Sequence, residues 1–589
     1  MEQITSELLI TRLADWGVDT VFGIPGDGIN GIMEGLRRHS DRVRFFLVHH
    51  EEAAAFMATG YAKATGRLGV CLATSGPGGV HLANGLYDAA MDHTPVLAIT
   101  GMQETAVLGT GYQQEVHLDR LYADVSVYNQ VVVNPEQLPT LVDLAIRTAF
   151  ARRGVAHLSI PNDIQIAPAT AQPYQHVAPV RAPKSAAVYF GPPARPRDED
   201  LRAAAEVLNA GQKVTILAGI GARGAGRLVE QLAETLDAPV IKTLNGKMVI
   251  ADDSPYTTGG LGLLGTGPSE ELVEDTDTLV MLGTNFPYTK FLPPAGTTKV
   301  VQVEIDPTRA GVRLPTDVPL IGDVSATLEA LLPMLTARVG HGRLGDYGAR
   351  MREWRERLTA LETPERDPIA PQYLARLLDE LAADDAVLTC DSGTIATWAA
   401  RHWQIRGDRE FYLSGNLATM APGLPYAIAI QHAYPGRQVI SYQGDGGFAM
   451  LMAEFRTAAQ YQLPIKVVIN NNNSLGQILW EQMVLGYPEH GVRYGEPKPA
   501  FAEWARGCGG FAARIDRPGD LEGALREALA HPGPALVDVA VDPNEPPMPG
   551  KISYEQAKKF GQSFMRGQPH KVSIATTLFK DRIQQMRDY

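Results

Sequence analysis

Short runs of β-branched and apolar residues alternate with helix-patterned segments over almost all of the 589-residue chain. That alternation restricts the fold most, because buried strands separated by helices assemble into parallel sheets covered on both faces. The class is α/β. Val43 to Val48, Leu68 to Thr74 and Pro95 to Thr100 read as strands of a first block. Val214 to Gly219, Pro239 to Thr243, Thr278 to Gly283 and Lys299 to Asp306 belong to a second, and Ala386 to Cys390, Gln438 to Tyr442, Ile465 to Asn470 and Ala535 to Val541 to a third. One hydrophobic core does not serve a chain this long, so the blocks are expected to be three doubly wound domains. Pro173, Pro179, Pro183, Pro192, Pro193 and Pro196 place a first linker, and the charged stretch Tyr347 to Glu362 with Pro364, Pro368 and Pro371 a second. The expected divisions are 1–185, 186–345, 346–550 and a tail, 551–589.

A formal charge of −13 disfavours nucleic acid and leaves small molecules as the expected partners. Cys71, Cys390 and Cys508 are too few and too scattered for a disulfide framework or a thiolate metal site. The first dozen residues lack the basic start and apolar core of a signal peptide, and no apolar run approaches the ~20 residues of a membrane span. A cytoplasmic location is expected.

The third block holds Gly444-Asp445-Gly446-Gly447 directly after a strand, with Asn471-Asn472 at the end of the next, 27 positions from Asp445 to Asn472. That spacing leaves room for one helix and one return strand, so acid and amide can meet at one sheet edge. Glycines let the backbone approach a diphosphate, and Asp and Asn oxygens suit a hard cation such as Mg²⁺. The same pattern also reads as a βα turn whose Asp caps the following helix. The segment resembles the thiamine diphosphate motif of pyruvate oxidases and acetohydroxyacid synthases. That resemblance implies Mg²⁺ on Asp445, Asn472 and the Ser474 carbonyl, with the diphosphate beside Gly446, Gly447, Gly393 and Thr394.

Further matches to that family are Gly23-Ile24-Pro25-Gly26, the junction His49-His50-Glu51-Glu52, Ser75 to Gly79, and Asn84. By the resemblance Pro25, Gly26 and Asn84 contact the cofactor, and Glu51 is the acid that activates the aminopyrimidine. Glu52 reads as a first-turn acid favoured by the helix dipole. Met420 aligns with the residue that wedges between the cofactor rings. Family members place each site between two subunits, so a homodimer or homotetramer is implied.

In the middle block Gly219-Ile220-Gly221-Ala222-Arg223-Gly224 follows a strand, and Asp306 ends a later one. GxGxxG alone is a weak dinucleotide signal. With Gly283 to Tyr288, Val303 to Pro307 and Gly322-Asp323, it resembles the flavin site of pyruvate oxidases, which implies FAD on Gly219, Gly221, Arg223, Asp306 and Asp323. Two departures stand out. The family's Phe before the Gln-Glu pair is Gln113, and a second Phe beyond the Asn-Asn motif is Gln477, while Gln114 and Glu481 match. Two rings replaced by amides make a wetter substrate pocket.

The resemblance thus implies decarboxylation of a 2-oxo acid such as pyruvate, with electrons passing to FAD and then to quinone or oxygen. The alternative is an acetolactate synthase-type carboligation with a flavin that takes no electrons. The tail matches quinone-linked pyruvate dehydrogenases through Tyr554-Glu555-Gln556-Ala557-Lys558. Val572, Leu578, Phe579, Ile583 and Met586 form a candidate helical face, with Lys580, Arg582 and Arg587 opposite or at its edge. Docking of that face on another subunit is the expected use, with peripheral contact at the inner membrane face as the alternative.

Overall fold

The computed structural model describes residues 3–169, 194–338, 340, 342–547 and 554–578. Its framework is three parallel sheets of six strands. The first contains β1 (Thr20–Gly23), β2 (Arg44–Leu47), β3 (Gly69–Ala73), β4 (Val96–Met102), β5 (Ser126–Val131) and β6 (Val155–Pro161), in the order β2-β1-β3-β4-β6-β5. The second contains β7 (Val214–Ala218), β8 (Val240–Lys242), β9 (Thr257–Gly260), β10 (Thr278–Leu282), β11 (Lys299–Glu304) and β12 (Val318–Ile321), in the order β12-β11-β10-β7-β8-β9. In the third, β13 (Val387–Cys390), β14 (Glu410–Tyr412), β15 (Val439–Gly444), β16 (Lys466–Asn471), β17 (Phe511–Ile515) and β18 (Ala535–Ala540) run β14-β13-β15-β16-β18-β17.

All the strands expected from the sequence are present, and they are mostly the inner ones. Five of the seven that escaped notice, β5, β9, β12, β14 and β17, are sheet edges. An edge has a neighbour on one side only, so Ser126, Asn129 and Gln130 in β5 or Gly259 and Gly260 in β9 break the apolar run that marks a buried strand. The inner strand β6 is wholly buried but carries His157 and Ser159. Their polar atoms are satisfied inside, by Thr100 at 2.8 and 3.3 Å and, for His157, by Asn129 at 2.8 Å.

The first and third sheets share a core. The helix Glu51–Thr65 lies against the helix Gly423–Ala433, and one apolar cluster runs through Phe56, Met57, Tyr426 and Ile430. Gly60 makes the approach possible, since a Cβ there would sit 2.8 Å from the Tyr426 ring. A salt bridge adds to the join: Lys63 donates to Asp92 at 2.7 Å and to the Tyr426 hydroxyl at 2.8 Å. The stretch read as the second linker is the helix Gly342–Thr359. Of the proline-rich first linker only Pro196 is described, packed under Gly322; Pro173, Pro179, Pro183, Pro192 and Pro193 lie outside the described residues.

The tail is described through residue 578. Its described part lies on its own chain, against the helix Gly476–Val484, with Trp480 and Phe560 stacked at 6.2 Å and Ile574 fully buried. Arg566 donates to the Gly486 carbonyl and Gln568 to Glu489, each at 2.9 Å. Val572 is 73% exposed, so it does not share this face. Phe579, Lys580, Arg582, Ile583, Met586 and Arg587 lie outside the described residues. Among the described residues no helix is long and apolar enough to cross a membrane.

Candidate active site

In an open parallel sheet, ligands gather at the carboxyl ends of strands where the order reverses. In the third sheet that place lies between β13 and β15, and β16 ends beside it. Asp391 to Gly393 follow β13, Asp445 to Gly447 follow β15, and Asn472 and Ser474 follow β16. All but Asp391 line a cavity of about 1230 Å³, together with Thr394, Met420, Gln477 and Glu481.

Local geometry explains the glycines. Gly393 turns at φ +111°, which L side chains rarely adopt, and a Cβ on Gly447 would fall 1.8 Å from Asp391 Oδ2. Three helices, Thr394–His402, Asp445–Leu451 and Gly476–Val484, begin at the cavity, so their free N–H groups suit a diphosphate. Burial pushes the Asp445 carboxyl up to about 7, and nearby Asp538 pushes the same way against N–H groups of Asp445, Gly446 and Ser474. Burial also pushes Asp391 up to about 7, and its Oδ2 is buried without a partner. Carboxylate, amide and carbonyl oxygens in one place are the donor set of Mg²⁺. The Asn472 amide oxygen also accepts the Ser474 N–H at 3.1 Å, which holds the loop in shape. Met420 stands between Ala418 and Ala421 at φ +55° and +80°, a strained backbone that fixes a projecting side chain.

The central domain opens into the same cavity. The order of its sheet reverses between β7 and β10, the arrangement of dinucleotide-binding sheets. Gly221 lies at that point so close to Gly283 that a Cβ would meet the Gly283 Cα at 2.8 Å. Gly221, Gly283, Asp306 and Asp323 line the cavity, and Gly219 packs behind them on Thr284. Arg223 is not among the residues that line the cavity. Its guanidinium donates to the Tyr412 hydroxyl at 2.7 Å and the Lys63 carbonyl at 3.1 Å, away from the cavity, because Glu410 draws it toward the other two domains.

Glu51, Pro25, Gly26, Asn84, Gln113 and Gln114 also lie outside the cavity. They belong to the domain of the first sheet, whose order reverses between β1 and β3. Glu51 opens its helix, its side chain 12% exposed, and a Cβ on Gly78 would approach its Oε1 to 3.3 Å. Its Oε2 meets His81 Nδ1 at 2.9 Å, and the His81 ring stacks on His50 at 4.7 Å. His50 caps the helix by accepting the Glu52 N–H, and Glu52, in the first turn, accepts from Asn84 at 2.6 Å. Gln114, at φ +60°, lies against Gly76 on a loop whose N–H groups are gathered by Glu115. Gln113 is exposed on that loop.

Sequence reasoning missed Glu454. This fully buried acid of the third domain accepts the N–H groups of His49 and His50 at 2.9 and 3.0 Å, fixing the turn that carries Glu51. Burial pushes it up to about 7. Its one sequence signal is an acid at the start of a helix, nine positions after Asp445.

Family models describing thiamine pyrophosphate enzymes match in three places: the N-terminal binding domain at residues 4–122, the central domain at 201–331 and the C-terminal binding domain at 391–539. The chain belongs to the thiamine diphosphate-dependent enzymes. It is an enzyme of the 2-oxo acid group, oxidase or carboligase, with thiamine diphosphate as cofactor. It is 40% identical to the putative thiamine pyrophosphate-containing protein YdaP of Bacillus subtilis, over 94% of each chain. It is 34% identical to a pyruvate oxidase of Lactiplantibacillus plantarum, over 93% of this chain and 90% of that one. It is 30% identical to the large subunit of acetolactate synthase isozyme 1 of Escherichia coli, over 92% and 94%.

Proposed function

We propose that this thiamine diphosphate enzyme decarboxylates a small 2-oxo acid, pyruvate being the simplest, with Mg²⁺ on Asp445, Asn472 and the Ser474 carbonyl and with FAD in the central domain. The observation that carries the reading is the shared cavity: the Asp445–Asn472 end and the Gly221–Gly283 crossing open into one space. When bound, thiamine diphosphate supplies a sink for the electron pair released with carbon dioxide, and FAD a two-electron acceptor. Asp445 and Asn472 anchor the metal, the helix N-termini the diphosphate, and Met420 the bend between the cofactor rings. Glu51 exchanges a proton with the pyrimidine nitrogen, and His81 orients its carboxylate. Glu481, at the cavity wall, orients the substrate with Gln477, whose Nε2 it accepts at 3.0 Å.

Since Glu51 stands outside the cavity of its own chain, the pyrimidine end is supplied by a second copy, and the working unit is at least a dimer. Quinone or oxygen then serves as the final electron acceptor. A second reading, carboligation, is favoured by Gln477, whose Oε1 is buried in the cavity wall without a partner and can orient an acceptor. Product analysis with pyruvate separates the two. Acetate in step with carbon dioxide supports oxidation, and acetolactate as the main product refutes it.

A further inference from the structure

A second cavity, of about 70 Å³, lies where the central and third domains meet, behind Thr243, Leu244, Leu261 and Leu264, which line both spaces. Four cationic side chains line it: Lys242 and Lys247 from the central domain, Arg355 from the connecting helix and Arg401 from the third domain. Asp252 is the acid in the lining and Glu270 stands beside Arg401; with Arg355 exposed to solvent, one buried positive charge is left over. Lys242 donates to Asp252 at 2.6 Å and to the Ile250 carbonyl at 2.8 Å; Lys247 donates to Asp252 at 2.8 Å and to the Ala400 carbonyl at 3.0 Å. Each ammonium keeps a third N–H. Two further donors that line this space, Trp354 Nε1 and Arg401 Nε, are buried without a hydrogen-bond partner.

The electrostatics agree with that count. Burial pulls Lys242 down to about 8, Asp252 resisting while Lys247 and Arg355 add to the fall. Burial likewise pulls Arg401 down to about 10, against the pull of Glu270. Buried donors without acceptors are disfavoured, and so are buried cations without anions. The space is too small for a nucleotide and large enough for several waters or one compact ion.

We infer that this cavity binds a small tetrahedral oxyanion of the phosphate or sulfate class, held between Lys242, Lys247, Trp354 and Arg401. The four free N–H donors of Lys242, Lys247, Trp354 and Arg401 match the four oxygens of such an ion and outnumber the two of a monocarboxylate. The ion would brace the junction between the domains, because the helix that carries Arg401 begins at Thr394, on the wall of the large cavity. This site is independent of the reaction proposed above.

The test is calorimetric titration of the full-length enzyme, loaded with thiamine diphosphate and Mg²⁺, with phosphate, sulfate and acetate in turn at constant ionic strength. Saturable binding of phosphate or sulfate is expected, at least tenfold weaker in Arg401→Gln and severalfold weaker in Trp354→Phe, which removes one donor and keeps the ring. Phosphate against sulfate then tells which ion the site prefers. Failure to bind either ion, equal affinity in the parent and in a folded Trp354→Phe variant, or acetate binding as tightly as phosphate would each overturn the inference.

Discussion

The first and third sheets have the same topology, since β2-β1-β3-β4-β6-β5 and β14-β13-β15-β16-β18-β17 are one order repeated. Their carboxyl ends differ. The first presents Glu51, held by His81 and by a turn tied to Glu454. The third presents a buried Asp445, an unpartnered Asp391 oxygen and three helix N-termini, groups that need ligands to be satisfied. One architecture therefore makes both a finished tool and a socket. The socket is where ligand binding should change the protein's stability, and the tool is where substitution should stop the chemistry and leave binding intact.

The largest expected effect tests that division. Glu51→Gln should lower turnover by roughly 10²–10⁴-fold, the usual worth of a positioned acid or base, with thiamine diphosphate still bound. Asp445→Asn should abolish Mg²⁺-dependent cofactor binding, read by titration calorimetry. Chains carrying the two substitutions, each inactive alone, should regain activity when unfolded and refolded together, because a hybrid dimer contains one intact site. Absence of recovery would place the whole site within one chain.

A second test concerns pH. Asp391, Asp445 and Glu454 are each pushed up to about 7 in the fold. The folded chain therefore holds more protons than the unfolded one between about pH 4 and pH 7, and ligand-free stability should fall as pH rises through that window. The penalty is absent below the unfolded values and complete above the folded ones. Thermal midpoints of the ligand-free chain should decline from pH 5 to pH 8. Mg²⁺ with thiamine diphosphate, or Asp445→Asn, should flatten the decline.

Smaller effects sharpen the contrast with the central domain. Gly221→Ala places a Cβ 2.8 Å from the Gly283 Cα and should weaken flavin binding, read from absorbance after gel filtration, with thiamine diphosphate binding preserved. Gln477→Leu removes the unpartnered amide oxygen and should lower any acetolactate formed severalfold more than it lowers pyruvate consumption.

The socket was readable in the sequence because Asp445, Asn472 and their glycines are close in the chain and constrained by backbone geometry. The inner strands were readable because burial on both faces demands apolar runs. Glu454 was not, since its role depends on the first domain docking on the third, which no local pattern encodes. The contacts of Arg223 were unreadable for the same reason: its partners, Lys63 and Tyr412, lie 160 and 189 positions away. The packing of the helix Tyr554–Met565 on the helix around Trp480 was not readable, because the two are remote in sequence.

The visible spectrum of the purified enzyme, recorded without oxygen before and after pyruvate is added with thiamine diphosphate and Mg²⁺, tests the central claim most directly. Bleaching of a flavin band is the expected result. A flavin band that stays unchanged while pyruvate is consumed would contradict oxidation and assign the enzyme to carboligation.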